Sequence, residues 1–122
     1  MNTTFFTFYV NDSYKNADDN SLSRLDENVI IFIDQNQYDY IKEIRKKFIN
    51  KTYLLIISND NFMLDKHKFI NKMISVNPFK SNKFAWCDIS YIDTYLLQGL
   101  PDTIVDLSSL SSDDIKGGFL FQ

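Results

Sequence analysis

Val29-Ile30-Ile31-Phe32-Ile33-Asp34 is apolar at every position until it stops on a carboxylate. A strand with one wet face alternates apolar and polar residues, whereas an unbroken apolar run marks a strand covered on both faces, as in a parallel sheet. The same design recurs on either side. Phe5 to Val10 runs into Asn11 and Asp12, Tyr53 to Ile57 into Ser58 and Asp60, and the apolar run from Phe84 meets Asp88 in a fourth strand expected over Phe84 to Ile89. Aromatic and β-branched residues dominate these runs, which suits them to strands.

The segments between them carry a different period. Tyr38, Ile41, Ile44, Phe48 and Ile49 recur near helical spacing, with Lys42, Glu43, Arg45, Lys46 and Lys47 mostly elsewhere. Phe62 to Val76 repeats the pattern, and Asn77-Pro78 ends it, because the residue before proline avoids the α region. Asn11 to Glu27 is polar and reads as a loop with a short helix around Ser21 to Leu25. After Ile89 the sequence predicts a short helix over Tyr91 to Leu97, a short strand over Thr103 to Leu107, and a loop or helix start over Ser108 to Asp114. Strand, helix, strand, helix, strand implies an α/β fold: a parallel β-α-β-α-β sheet of about four strands with flanking helices, Rossmann-like in arrangement.

Composition narrows the classes of function. The chain has 122 residues, 44% of them hydrophobic and 16% aromatic, enough for one domain with a substantial core. Only 3 Gly occur, which argues against a glycine-rich phosphate loop. The net charge is -3 with acids and bases interspersed, so no basic face recommends nucleic acid as a partner. One Cys and one His exclude a disulfide framework and a structural zinc site, which needs about four ligands. Met1-Asn2-Thr3-Thr4 lacks the basic start of a secretory signal, and no apolar run approaches the roughly 20 residues of a membrane span. A cytoplasmic protein is the expectation.

Open parallel sheets bind ligands just beyond the carboxyl ends of their strands. Asp12, Asp34 and Asp88 all stand at that edge, so they are the candidate residues for a metal ion or a hydroxyl-rich ligand. Asp88 is the first of them: a strand-end carboxylate suits Mg²⁺ or Mn²⁺, which favour oxygen ligands. The structural alternative is that Asp88 caps the turn that follows. Arg45 is the candidate phosphate contact, since a guanidinium grips phosphate oxygens in a bidentate manner; the structural alternative is a solvated helix face. Trp86 and Cys87 point to opposite sides of the sheet and read as core.

Phe84-Ala85-Trp86 and Asp88, preceded by Asn77-Pro78-Phe79-Lys80-Ser81, resemble a pattern in the HtrL/YibB-like glycosyltransferase family, where N-P-F-x-S leads into a strand ending W-x-D-x-G. Val29 to Asp34, Ile44-Arg45 and Lys51-Thr52 look like that group in the same order. The resemblance implies a GT-A-type nucleotide-sugar fold, with Asp88 at the metal-binding acidic motif and the cation holding the donor's diphosphate. This chain departs from the family at Ser90, which stands at the glycine position, and it lacks the second acid of a D-x-D motif. The stretch after Asp88 is also too short for an acceptor-binding half, since one crossover unit takes about 30 residues. The resemblance thus implies a donor-side half. Two functions follow as expectations: a glycosyltransferase-like domain binding a nucleotide-sugar donor, or a non-catalytic α/β protein that acts by assembly with another copy or a partner chain.

Overall fold

The computed structural model describes residues 3–10, 20–57, 66–100, 104–105 and 118–121. Strands β1 (Thr3–Tyr9), β2 (Asn28–Ile33), β3 (Thr52–Ile56) and β4 (Lys83–Cys87) all run parallel. With β5 (Ile104–Val105) and β6 (Gly118–Phe121) they form one sheet in the order β3-β2-β1-β4-β6-β5. β6 is antiparallel to β4, and β5 runs parallel to β6. The helices are α1 (Ser21–Arg24), α2 (Tyr38–Ile44), α3 (Lys66–Val76) and α4 (Ile92–Gln98).

The strand order explains which face each helix covers. The first two crossovers step from β1 outward to β3, while the third returns past both to β4. Crossovers of one hand must place helices on opposite faces when the direction reverses. The core shows this arrangement. Phe6, Phe8, Val10, Ile30, Phe32, Phe84 and Trp86 pack against Ile70 and Met73 of α3. On the other face Phe5, Tyr9, Val29, Ile31, Ile33, Ala85 and Cys87 pack against Leu22 of α1, Ile41 of α2 and Ile92 of α4. Trp86 and Cys87 therefore serve two separate cores, as their alternation requires.

β2 lies inside the sheet and is buried from Val29 to Ile33, in keeping with its unbroken apolar run. β3 has an equally apolar sequence but forms the sheet edge, where Tyr53 and Ile56 are 37% and 43% exposed. β4 ends at Cys87, so Ile89 belongs to the following 3-10 turn (Ile89–Tyr91) rather than to the strand.

The turn before β4 gives the N-P-F-x-S stretch a physical reason. α3 stops at Val76, and Asn77 takes a left-handed φ of 48°, which asparagine tolerates better than most residues. The Asn77 amide donates to the Ser81 carbonyl and its Oδ1 accepts from the Ser81 backbone N–H, both at 2.9 Å. Ser81 in turn shares a buried 2.6 Å hydrogen bond with Thr4. One side chain thus clamps the turn at both ends and fixes where β4 begins beside β1.

Candidate functional site

The chain leaves β1 toward β2 and enters the neighbouring strand β4 from the opposite direction, so the crossover helices of these two strands lie on opposite faces of the sheet. That reversal makes the carboxyl ends of β1 and β4 the sheet's topological switch point, the place where open α/β sheets bind ligands. The register defines its walls. Tyr9 pairs with Ile33, which sets Asp34 level with Val10. Phe6 pairs with Trp86, which sets Asp88 level with Phe8. β4 therefore ends two residues short of β2, and the rim steps down at the switch point. Two strand spacings of ~4.8 Å and two residues of ~3.3 Å put the Asp34 and Asp88 Cα atoms roughly 12 Å apart. They share a rim without forming a carboxylate pair.

Asp88 has an extended backbone and caps the 3-10 turn Ile89–Tyr91. Its Oδ1 accepts from the Ser90 backbone N–H at 2.9 Å and from the Ser90 hydroxyl at 2.6 Å. The capping role is thus real, and Ser90, where the resembled pattern has glycine, holds the carboxylate in place. Both donors use Oδ1, and Oδ2 takes no hydrogen bond among the described residues. Asp34 begins the 3-10 turn Gln35–Gln37 through its carbonyl, which accepts from the Gln37 N–H at 3.0 Å. Asp12 lies outside the described residues.

Lys66 is the residue that sequence reasoning missed. Its Nζ lies 5.6 Å from the centroid of the Phe8 ring, and Phe8 is level with Asp88. Burial draws its ammonium below the usual lysine range, while the Asp88 charge acts in the opposite direction. Cys87 is buried, and burial, then the Asp88 charge, push its thiol up to about 12, which suits a core residue rather than a nucleophile.

Arg45 stands elsewhere. The side chain is fully buried, with its donors engaged inside the fold. Nη1 donates to the Leu22 and Leu25 carbonyls at 2.7 and 2.5 Å, Nη2 to the Glu27 carbonyl at 3.2 Å, and Nε to Thr52 Oγ1 at 2.9 Å. Burial lowers its pKa to about 10, still cationic at neutral pH. Those carbonyls lie before β2, so the guanidinium ties α1 to the amino end of the sheet, opposite the rim.

A concavity lies at that amino end. Arg24, Asp26, Glu27, Tyr95, Leu96 and Gly99 line about 380 Å³ between α1 and α4. Its charged groups are internally matched: Arg24 to Asp93 at 2.5 Å, Asp26 to Lys51 at 2.6 Å, and Glu27 to the Tyr95 hydroxyl at 3.1 Å. Among the described residues no three His, Cys, Asp or Glu side chains converge as a metal cluster, and no helix is long and apolar enough to cross a membrane.

The fold and rim define a Rossmann-like α/β domain with its topological switch point between β1 and β4. Comparison with family models, curated proteins and solved structures returns no match to this chain.

Proposed function

We propose that the chain is a glycosyltransferase-like domain that holds a nucleotide-sugar donor, through a divalent cation, in the crevice between β1 and β4. One observation carries this reading: a carboxylate braced by Ser90 at the sheet's topological switch point. Mg²⁺ is commonly held by one or two carboxylates plus substrate phosphates and water, so Asp88 Oδ2 with the donor's diphosphate is an adequate ligand set. The cation, Mn²⁺ or Mg²⁺, supplies charge neutralisation of the diphosphate leaving group. Asp34 directly follows β2, the position from which an acid accepts ribose hydroxyls in doubly wound folds. Arg45 has no part in this reading, because its donors are engaged at the far end of the sheet.

Calorimetry with UDP and Mn²⁺ tests it on the wild type and on Asp88→Asn, which keeps an acceptor for Ser90 and removes the charge. Heat from the wild type that falls at least tenfold in affinity in the variant supports the reading. No heat from the intact protein, or equal binding by both, ends it.

A second reading is favoured by the β3 edge. Its exposed Tyr53 and Ile56, with no charge between Thr52 and Ile57, lack the usual guards of an edge strand and suit a non-catalytic protein that assembles with another copy. Light scattering that finds a monomer at every concentration rejects this second reading.

A further inference from the structure

The lysines that form ion pairs among the described residues are exposed: Lys46 lies 2.8 Å from Glu43, and Lys51 lies 2.6 Å from Asp26. Lys66 shows the reverse combination. It is partly buried against Phe8, and among the described residues no carboxylate lies within ion-pair distance of its ammonium. Asp88 is near enough to act on it through space but directs Oδ1 to Ser90. A partly buried ammonium has lost some of its water and gains from an anion that takes the water's place. The Phe8 ring face offsets some of that loss, but it accepts no hydrogen bond from the three N–H donors.

The place of this ammonium is informative. Lys66 opens the described part of α3, the helix that crosses back over the sheet to β4, and its ammonium sits over the β1 residue level with Asp88. The crevice therefore carries a carboxylate on its β4 side and a cation on its α3 side. We propose that Lys66 is the anion-binding residue of the crevice, receiving a phosphate or pyrophosphate group on its ammonium. This rests on the crevice being the ligand site. It adds the polarity of the bound group: a metal–diphosphate complex turns its cation to Asp88 and its phosphate oxygens to Lys66. A partly desolvated ammonium attracts such oxygens more strongly than one in bulk water.

Two probes separate this inference from the nucleotide-sugar reading. Inorganic pyrophosphate alone, and UDP with Mn²⁺, are titrated into the wild type, Lys66→Gln and Lys66→Arg, each first checked for a cooperative thermal transition. Loss of one charge-assisted contact predicts roughly tenfold or greater weakening in Lys66→Gln for whichever probe the wild type binds. Lys66→Arg, which restores the charge, is expected to bind within about threefold of wild type. Pyrophosphate binding that depends on Lys66, without binding of UDP and Mn²⁺, retains the lysine's role and removes the nucleotide from the account. UDP–Mn²⁺ binding that Lys66→Gln leaves unchanged overturns the lysine's role and leaves the nucleotide reading intact. Failure of both probes on the wild type rejects both.

Discussion

Replacing Arg45 with methionine removes a guanidinium that serves four acceptors, three of them backbone carbonyls in the segment that leads into β2. A buried acceptor left without its donor costs about 1 kcal/mol or more, so three carbonyls account for about 3 kcal/mol. Relief of the cation's own desolvation works in the other direction, and methionine refills much of the volume. The expected net loss is about 2 kcal/mol, a large part of the stability of a domain this size. Arg45→Lys keeps the charge but not the planar fork, and is expected to lose about 2 kcal/mol. Lys42→Met and Lys47→Met, both on exposed positions, serve as controls within about 0.5 kcal/mol of wild type. Urea unfolding followed by the emission of Trp86, the sole tryptophan and 1% exposed, reads all four variants. An Arg45→Met loss below about 0.5 kcal/mol would refute the buried tether, because that is the range of a surface substitution.

Other consequences follow from buried groups. The buried Thr7 hydroxyl has no hydrogen-bond partner among the described residues, so Thr7→Val, nearly isosteric, is expected to leave stability unchanged or raise it by about 1 kcal/mol; a loss above about 1 kcal/mol would count against this. Native Cys87 should resist alkylation at pH 8 while the urea-unfolded chain reacts, and equal rates in the two states would contradict its burial. Its raised pKa also sets a pH dependence. The folded state keeps the thiol proton up to about 12, whereas the unfolded chain releases it near 9.0. Stability from this group is therefore fully present below pH 9 and lost as pH rises toward 12. Tyr95, raised from 10.0 to about 12, adds in the same direction above pH 10, and Arg45, lowered from 12.5 to about 10, opposes it there. Between pH 9 and 10 the wild type should accordingly lose stability more steeply than Cys87→Ala, and parallel slopes would contradict the assignment.

The architecture was legible where local pattern and long-range packing agree. The unbroken apolar run of β2, the opposed directions of Trp86 and Cys87, and the stop at Asn77-Pro78 each follow from a period or a backbone preference that neighbouring residues reveal. Apolar content alone did not separate β3 from β2, because edge or interior is a property of strand order. Likewise β6 pairs with β4 from the far end of the sequence, through no short-range signal.

Arg45 shows the same limit at a single residue. Amid Lys42, Lys46 and Lys47 it reads as part of a solvated face, yet it follows the fully buried Ile41 by four residues and so lies on the same stripe of the helix. That spacing was the available signal; the carbonyls that receive it lie 18 to 23 residues away and are brought together only by the fold. At the rim, Asp34 and Asp88 were found because a strand's end is visible as the end of an apolar run. Lys66 was not, since among Asp65, His67 and Lys68 nothing in the sequence marks it as the one that lies over Phe8.

The ligand site proposed at the β1–β4 switch point is most directly tested by amide chemical-shift mapping of the protein titrated with UDP and Mg²⁺. The account predicts shifts concentrated at Val10, Asp34, Lys66 and Asp88 to Tyr91, all at the carboxyl edge of the parallel strands. Shifts clustered instead at Arg24 to Glu27 and Tyr95 to Gly99, around the concavity at the opposite edge, would contradict it.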